Sequence, residues 1–450
     1  MARLAAPTVP TSARRLAFDV LQRVETTDAY ANLLLDARLN RRALARADRA
    51  LATELVYGVL RWRAKLDWLL APRLDRPADR LDPAVRLLLR LGIYQIACLT
   101  RIPPFAAVDE TVALAHAVAP RAAGYVNAVL RAVLRVDPPA EPDPTGDPCG
   151  HWTGPGSHPA WLAARWIERL GPADAGALMT ANNQIPPVSV AVNRLRGDPA
   201  GVRARLDAAG AGPVASRYFP EMLSLLTGGS PADLPGFADG LLVPMDEAGP
   251  LPVHALDLAP GQRVLDACAG GGGKTALIAA ALGDTGEVLA CDQSPRAVRR
   301  LTVACQRLGL ARVTPTLYDA QDAGAGFPGG FDRVLLDAPC SGLGTVRRRP
   351  EIKWRRRPDD LPRLAAVQEA LLRGVAGALK PGGLLVYSTC SLEPEETDLV
   401  IAAFLVGRPD FAVDLPPASL QSFANGAALR AWPHRHGTDG FYAVRLRRMR

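Results

Sequence analysis

The sequence predicts a multidomain chain of three parts: an all-α bundle over residues 1–140, a linker with a small α+β module over 141–240, and an α/β domain with a mostly parallel sheet over 241–450. Three observations predict it. Apolar residues recur at helical spacing through most of residues 12–135. A stretch dense in Pro, Gly and Asp, residues 136–159, interrupts them. From about Leu241 onward, short apolar runs alternate with helical segments, the pattern of a parallel sheet covered by helices on both faces.

In chain order, Met1 to Pro10 lacks the long apolar core and cleavage pattern of a secretion signal. No uninterrupted apolar run is long enough to span a bilayer, so a cytoplasmic protein without membrane partners is expected. Ala13, Ala17, Val20, Leu21 and Val24 share one face of the first helix. Asp48 reads as the N-cap of a helix carrying Leu51, Leu55, Val59 and Leu60. Two further apolar helices are expected around residues 85–99 and 125–134, with Arg101-Ile102-Pro103-Pro104 breaking the pattern between them. Residues 136–159 read as a linker or exposed loop. Helical stretches at 161–170 and 199–209 flank the alternating segment 187–193, which reads as a strand. Beyond Leu241, strands are expected at Val264-Leu265-Asp266, at 287–292, up to Asp337 and up to Cys390, with helices around 276–282, 295–308 and 361–379.

The chain has 450 residues, 48% hydrophobic and 22% charged, an ordinary soluble composition, and a formal net charge of +8. A basic chain suits an anionic partner, nucleic acid being the commonest. Only four of its 53 basic residues are lysines, so Lys274 and Lys353 stand out in a chain that otherwise uses arginine. The seven cysteines form no C-x-x-C pair, and neither a disulfide framework nor a metal site is expected.

Asp266-Ala267-Cys268-Ala269-Gly270-Gly271-Gly272-Gly273-Lys274-Thr275 joins a strand to a helix. Glycines there let backbone approach a ligand at a helix N-terminus, although the spacing is not that of a phosphate-binding P-loop. Asp292 ends the next strand, about 20 residues on, where an acid can hold ribose hydroxyls. An adenosine-containing ligand is implied. Asp319, with Asp322 as competitor, is placed to bind its adenine.

Cys340 and Cys390 follow two apolar runs, Arg333-Val334-Leu335-Leu336-Asp337 and Gly383-Leu384-Leu385-Val386-Tyr387. If both runs are parallel strands, both thiols emerge on the ligand-binding side of the sheet. A thiolate is a strong nucleophile. Added to C6 of cytosine, it makes C5 enamine-like and able to attack a sulfonium methyl. A second thiol near C5 then helps remove the C5 proton and expel the first, and an acid at N3, such as Asp337, balances charge during attack. Which cysteine does which is open on this reading.

At these residues the chain resembles the bacterial small-subunit (16S) ribosomal RNA cytosine-5 methyltransferase B group, the Sun/Fmu type of the NOL1/NOP2/Sun family. The resemblance spans nearly the whole chain. It is carried by Glu54-Leu55-Val56-Tyr57-Gly58-Val59-Leu60-Arg61 and Arg101-Ile102-Pro103-Pro104 in the bundle, and by His158-Pro159-Ala160-Trp161-Leu162 and Ala181-Asn182-Asn183-Gln184 in the middle. In the last part Asp337-Ala338-Pro339-Cys340-Ser341-Gly342, Arg347-Arg348-Arg349-Pro350-Glu351-Ile352-Lys353-Trp354, Tyr387-Ser388-Thr389-Cys390-Ser391 and Asp439-Gly440-Phe441 occur together. The resemblance implies a NusB-like RNA-binding bundle and a Rossmann-like, class I S-adenosylmethionine-dependent methyltransferase domain. It also implies roles. Cys390 would be the nucleophile at C6, Cys340 would assist proton removal and release, and Asp337 would contact the base. Cys268, Ala269, Gly270, Gly271, Gly272, Gly273, Lys274, Asp292, Asp319 and Asp337 would form the S-adenosylmethionine site. Arg347, Arg348, Arg349 and Lys353 would face RNA phosphates. A monomer acting on 16S rRNA or an assembling small subunit is implied. A transfer-RNA cytosine-5 methyltransferase and a non-catalytic RNA-binding factor are the alternatives. Two positions depart from the family pattern: Gly271 replaces a usual proline, and Gly249-Pro250 replace a small polar residue and glutamine.

Overall fold

Seven helices follow one another from the start of the described chain: α1 (Ala13–Thr26), α2 (Ala31–Asn40), α3 (Arg46–Arg61), α4 (Arg63–Leu70), α5 (Pro83–Cys98), α6 (Pro104–Val118) and α7 (Ala123–Arg135). The structure is a computed structural model and describes residues 13–41, 44–227, 229–283 and 285–449. The leader-free reading of Met1 to Pro10 falls outside these. All five residues that the periodicity places on the inner face of α1 are buried, with Leu16 and Phe18 beside them. Each large apolar side chain so enclosed contributes about 1.5–3 kcal/mol. Asp48 is not an N-cap. Helix α3 begins two residues earlier, behind Ala45, and Asp48 lies in its first turn, where a carboxylate favours the helix dipole. Asp82 does cap α5, accepting from the N–H groups of Ala84 and Val85 ahead of Pro83.

The chain forms two compact units, Met1–Gln184 with Val346–Arg355, and Ile185–Thr345 with Arg356–Arg450. The expected small α+β middle module is present, with its elements assigned to both units. Its helices α9 (Ala160–Leu170) and α10 (Pro172–Asn182) belong to the first unit, and its strands to the second. Residues 136–159 are more than a linker: they include helix α8 (Pro148–Thr153), and Trp152, Ser157 and His158 are buried. Ser157 takes a left-handed φ of 56° and donates its hydroxyl to the Arg61 carbonyl at 3.1 Å.

In the second unit, β1 (Val188–Val192), β2 (Pro213–Ala215), β3 (Met222–Leu225) and β4 (Leu242–Pro244) form an antiparallel sheet in the order β2-β3-β1-β4. The larger sheet holds β5 (Arg263–Asp266), β6 (Glu287–Asp292), β7 (Val313–Leu317), β8 (Phe331–Asp337), β9 (Leu379–Thr389), β10 (Phe411–Asp414), β11 (Ala424–Asn425), β12 (Ala428–Ala431) and β13 (Phe441–Arg448). Its order is β11-β12-β13-β9-β8-β5-β6-β7, with β10 also on β13. Pairings from β9 through β7 are parallel, and those of β13 are antiparallel. Leu265, Leu335 and Leu385 on β5, β8 and β9 are fully buried, as central strands covered on both faces require. The strand order reverses between β5 and β8, so the carboxyl ends of these strands open onto one crevice.

Candidate active site

Five chain segments bring their functional groups to that carboxyl edge. Asp337 ends β8 in register with Ser388 on β9, and the chain then turns through Pro339 to Cys340. Cys390 directly follows β9. The two sulphur atoms lie 3.2 Å apart, both half-buried. The spacing suits one thiol donating to the other sulphur. The Cys340 thiol is pushed well above its ordinary pKa, first by that contact with Cys390, then by burial, then by the charges of Cys390 and Glu396.

Lys274 and Asp337 adjoin the pair. The Lys274 ammonium donates to Asp337 Oδ2 at 2.6 Å and lies over the Phe441 ring at 4.9 Å. Burial works to lower its pKa, but Asp337, with a contribution from Cys390, carries it above the ordinary lysine value. Ser388 donates to Asp337 Oδ1 at 2.9 Å, so both oxygens of this carboxylate are held.

The glycine turn after β5 is shaped by its neighbours. Gly270 and Gly272 adopt φ of 57° and 85°, a region open to glycine at little cost. The Gly270 N–H donates to Asp292 Oδ2 at 3.0 Å, and Asp292 Oδ1 accepts from the Ser294 N–H at 2.8 Å. A Cβ at Gly270 or Gly271 would meet nothing within 4 Å, so the turn borders open space. Gly249 closes a turn onto the Asp246 carbonyl at 2.9 Å, and Pro250 begins the helix Leu251–Ala255. Burial raises the pKa of the Cys268 thiol far up, and the charges of Asp266, Asp337, Asp292 and Asp319 add to the effect. Those four carboxylates therefore converge on one region. Asp319 accepts from the Gln321 N–H at 3.0 Å and is half-buried, whereas Asp322 is exposed.

The reading of the basic run needs correction. Lys353 does not face solvent: it is fully buried in the first unit, donating to the Arg61 carbonyl at 3.0 Å, the Ser157 carbonyl at 2.6 Å and Asn183 Oδ1 at 3.0 Å. Arg347 is also buried, and its neighbour Arg61 donates to its carbonyl at 2.8 Å. Arg348 is half-buried, and Arg349 is exposed over the Tyr30 ring. Within the run, Lys353 and Arg347 are thus enclosed and Arg349 is not.

Several residues of the site escape sequence reasoning. Asp266 is buried at the end of β5, accepting from Thr275 Oγ1 at 2.6 Å. Glu396, Gln368 and Ser341 are fully buried around the Cys340 loop. Gln368 had a legible signal, as a polar residue in the apolar stripe Leu361, Leu371, Leu372 and Val375. Among the described residues, no group of three or more His, Cys, Asp or Glu side chains is arranged to hold a metal ion.

Three family models match the chain: 16S rRNA methyltransferase RsmB/F over residues 253–447, the NusB family over 11–135, and an RsmF/B-like ferredoxin-like domain over 158–230. The probable ribosomal RNA small subunit methyltransferase B of Bacillus subtilis is 37% identical, covering 97% of this chain and 99% of its own. The chain belongs to the 16S rRNA methyltransferase RsmB/F family. Another relative, the ribosomal RNA small subunit methyltransferase B of Pseudomonas putida, is 36% identical over 96% of this chain and 98% of its own. Among solved structures, PH0851 superposes over 99% of this chain and 100% of its own, with TM-score 0.84 at 25% identity. A methyltransferase homologue from Pyrococcus horikoshii covers 66% of this chain and 97% of its own, with TM-score 0.57 at 28% identity. The family's helical, ferredoxin-like and mostly parallel parts are those described above. No helix among the described residues is long and apolar enough to cross a membrane.

Proposed function

We propose that this member of the family methylates C5 of a cytosine in small-subunit rRNA through a covalent bond between Cys390 and C6, with S-adenosylmethionine as methyl donor. The observation that carries the proposal is the pair of thiols 3.2 Å apart at the ends of adjacent parallel strands, beside the Lys274–Asp337 ion pair. Exocyclic amine methylation has no use for either thiol.

The residues present fit the donor. The glycine turn borders open space, and Asp266 Oδ1 is buried without a hydrogen-bond partner among the described residues. Asp292 would take the ribose, Asp319 the adenine, and Cys268 to Lys274 would line the site. When bound, the donor supplies an electrophilic methyl group that C5 accepts.

Within the thiol pair, the groups around Cys340 favour its protonated form, and Cys390, which interacts with the Lys274 ammonium, would carry the anionic sulphur. Cys390 then forms the S–C6 bond. The C5=C6 electron pair shifts toward C4 and N3, and N3 takes a proton delivered through Asp337 from the adjacent Lys274 ammonium. Once the Cys390 sulphur is a thioether, it no longer raises the Cys340 pKa as an anion. Cys340 loses its proton to water, and its thiolate removes the proton from methylated C5. The C–H electrons rebuild C5=C6, the S–C6 pair returns to Cys390, and the N3 proton goes back to Asp337. One proton is released per turnover, as methyl transfer from a sulfonium requires.

The target base leaves its stack to reach both thiols. Of the basic run, Arg348, half-buried, and Arg349, exposed, would meet phosphate. The helical and ferredoxin-like parts would select the RNA, free or in an assembling subunit, with a monomer working in the cytoplasm.

The reading is tested by bisulfite sequencing of 16S rRNA from a strain lacking the gene, which should lose one 5-methylcytosine. In vitro, Cys390→Ala should abolish both methylation and adduct, whereas Cys340→Ala should accumulate a protein–RNA adduct on denaturing gels. An adduct in Cys390→Ala and none in Cys340→Ala would reverse the roles.

A further inference from the structure

Glu396 lies in the short 3-10 turn Pro394–Glu396 that follows the Cys390 loop, and it is fully buried. Its Oε1 accepts from the Ser341 N–H at 2.7 Å and from Gln368 Nε2 at 3.0 Å, and its Oε2 accepts from Ser341 Oγ at 2.5 Å. The same Gln368 amide donates to the Pro339 carbonyl at 3.0 Å. Tyr387 closes the network, donating to the Glu396 carbonyl at 2.8 Å and to Gln368 Oε1 at 3.1 Å. Thus the residues before and after Cys340 are both tied to one buried carboxylate. A charged group receiving three donors out of solvent forms strong, directional bonds.

We propose that Glu396 is the positioning residue of Cys340: through Ser341 and Gln368 it fixes the loop that aims the Cys340 thiol at the Cys390 sulphur. The inference rests on the covalent reading of the site given above. The groups facing Cys340 are few. Cys390 and the Tyr387 hydroxyl come from β9 and its end, Glu396 from the following turn, and neutral Gln368 from the helix Asp360–Ala376. Arg356 grips the backbone, donating to the Ser341 carbonyl at 2.7 Å and the Cys340 carbonyl at 3.5 Å. Lys274 and Asp337 stand beside Cys390. Glu396 is therefore the buried anion on the Cys340 side. Its charge resists early loss of the Cys340 proton and strengthens the thiolate as a base when that proton has gone.

The test reads Cys340 itself. Alkylation by iodoacetamide is followed against pH, with the modified cysteine located by peptide mass mapping in the full-length protein. Glu396→Gln keeps the shape and removes the charge. The alkylation midpoint of Cys340 should fall by roughly one pH unit, and Glu396→Asp should restore most of it. An unchanged midpoint in folded Glu396→Gln overturns the proposal. Ser341→Ala removes one tether without touching the charge and serves if the Glu396 variants do not fold. It should lengthen the lifetime of the protein–RNA adduct several-fold, and an unchanged lifetime counts against the positioning role. Failure of the covalent reading has a separate mark, the absence of any adduct in Cys340→Ala.

Discussion

Replacing Asp266 with asparagine has an effect whose sign and size follow from burial. Asp266 is 1% exposed, with Thr275 on one oxygen and no partner on the other among the described residues. Burial lifts its pKa from 3.8 to about 7, against the opposing hydrogen bond from Thr275 and with help from the Asp337 charge. A carboxyl with a raised folded-state pKa keeps its proton where the unfolded chain has released it. Its contribution to stability is therefore undiminished below pH 3.8, falls as pH rises between 3.8 and about 7, and stays at its lowest above that. Across the whole window the loss amounts to roughly 4 kcal/mol. Asparagine is neutral throughout and escapes the penalty. The stability difference between Asp266→Asn and the parent should widen by about 2 kcal/mol in the variant's favour between about pH 5.5 and pH 8.5. Urea unfolding at the two pH values measures it. Parallel stability profiles for the two proteins would falsify the claim that a buried, proton-holding carboxyl sits at the end of β5.

Three further outcomes follow from other parts of the molecule. Lys353→Met should lower stability by about 2 kcal/mol, because the Ser157 carbonyl and Asn183 Oδ1 lose their donor inside a closed site; thermal denaturation would show no change if the side chain were solvated. Gly271 is not among the glycines with positive φ and a Cβ there meets nothing within 4 Å, so Gly271→Ala should raise stability by about 0.4–1 kcal/mol, with a matching rise in Tm. Treatment with diamide should couple Cys340 to Cys390, abolish methylation and be reversed by dithiothreitol, given sulphur atoms 3.2 Å apart; mass mapping that finds both thiols intact in the inactivated protein would reject this.

What the sequence made legible depends on how local the deciding forces are. The central strands announce themselves because burial on both faces demands unbroken apolar runs, and the helix Pro295–Leu308 is marked at both ends by its Ser294 cap and by Gly309. The strand-end residues Asp292, Asp337, Cys340 and Cys390 follow from those strands. Two things were hidden. Residues 136–159 look like a linker because Pro and Gly are frequent there, yet their tight turns bury Trp152, Ser157 and His158. Lys353 looks like a surface cation because its acceptors come from residues 61, 157 and 183, and no local pattern reports a partner so distant in sequence.

The two cysteines illustrate the same limit at the scale of chemistry. Residue type gives each an identical thiol, and strand position gives each the same access to the crevice. Their difference arises from third parties. Lys274 counts Cys390 among the groups that favour its charge, while Cys340 is flanked by Ser341, which donates to the Glu396 carboxylate, and by Pro339, whose carbonyl accepts from the Gln368 amide that also donates to Glu396. In the proposed chemistry, a cation beside one sulphur and an anion on the side of the other would make exchange of their proton unequal, so that a symmetric pair would act as a donor and an acceptor. Under the proposed mechanism that asymmetry also times the steps. Bond formation at Cys390 removes the negative sulphur that kept Cys340 protonated, and only then is a base made available for the C5 proton. A substitution that neutralises Glu396 should therefore disturb release of the adduct more than its formation, a separation that single-turnover measurements of the two steps can resolve.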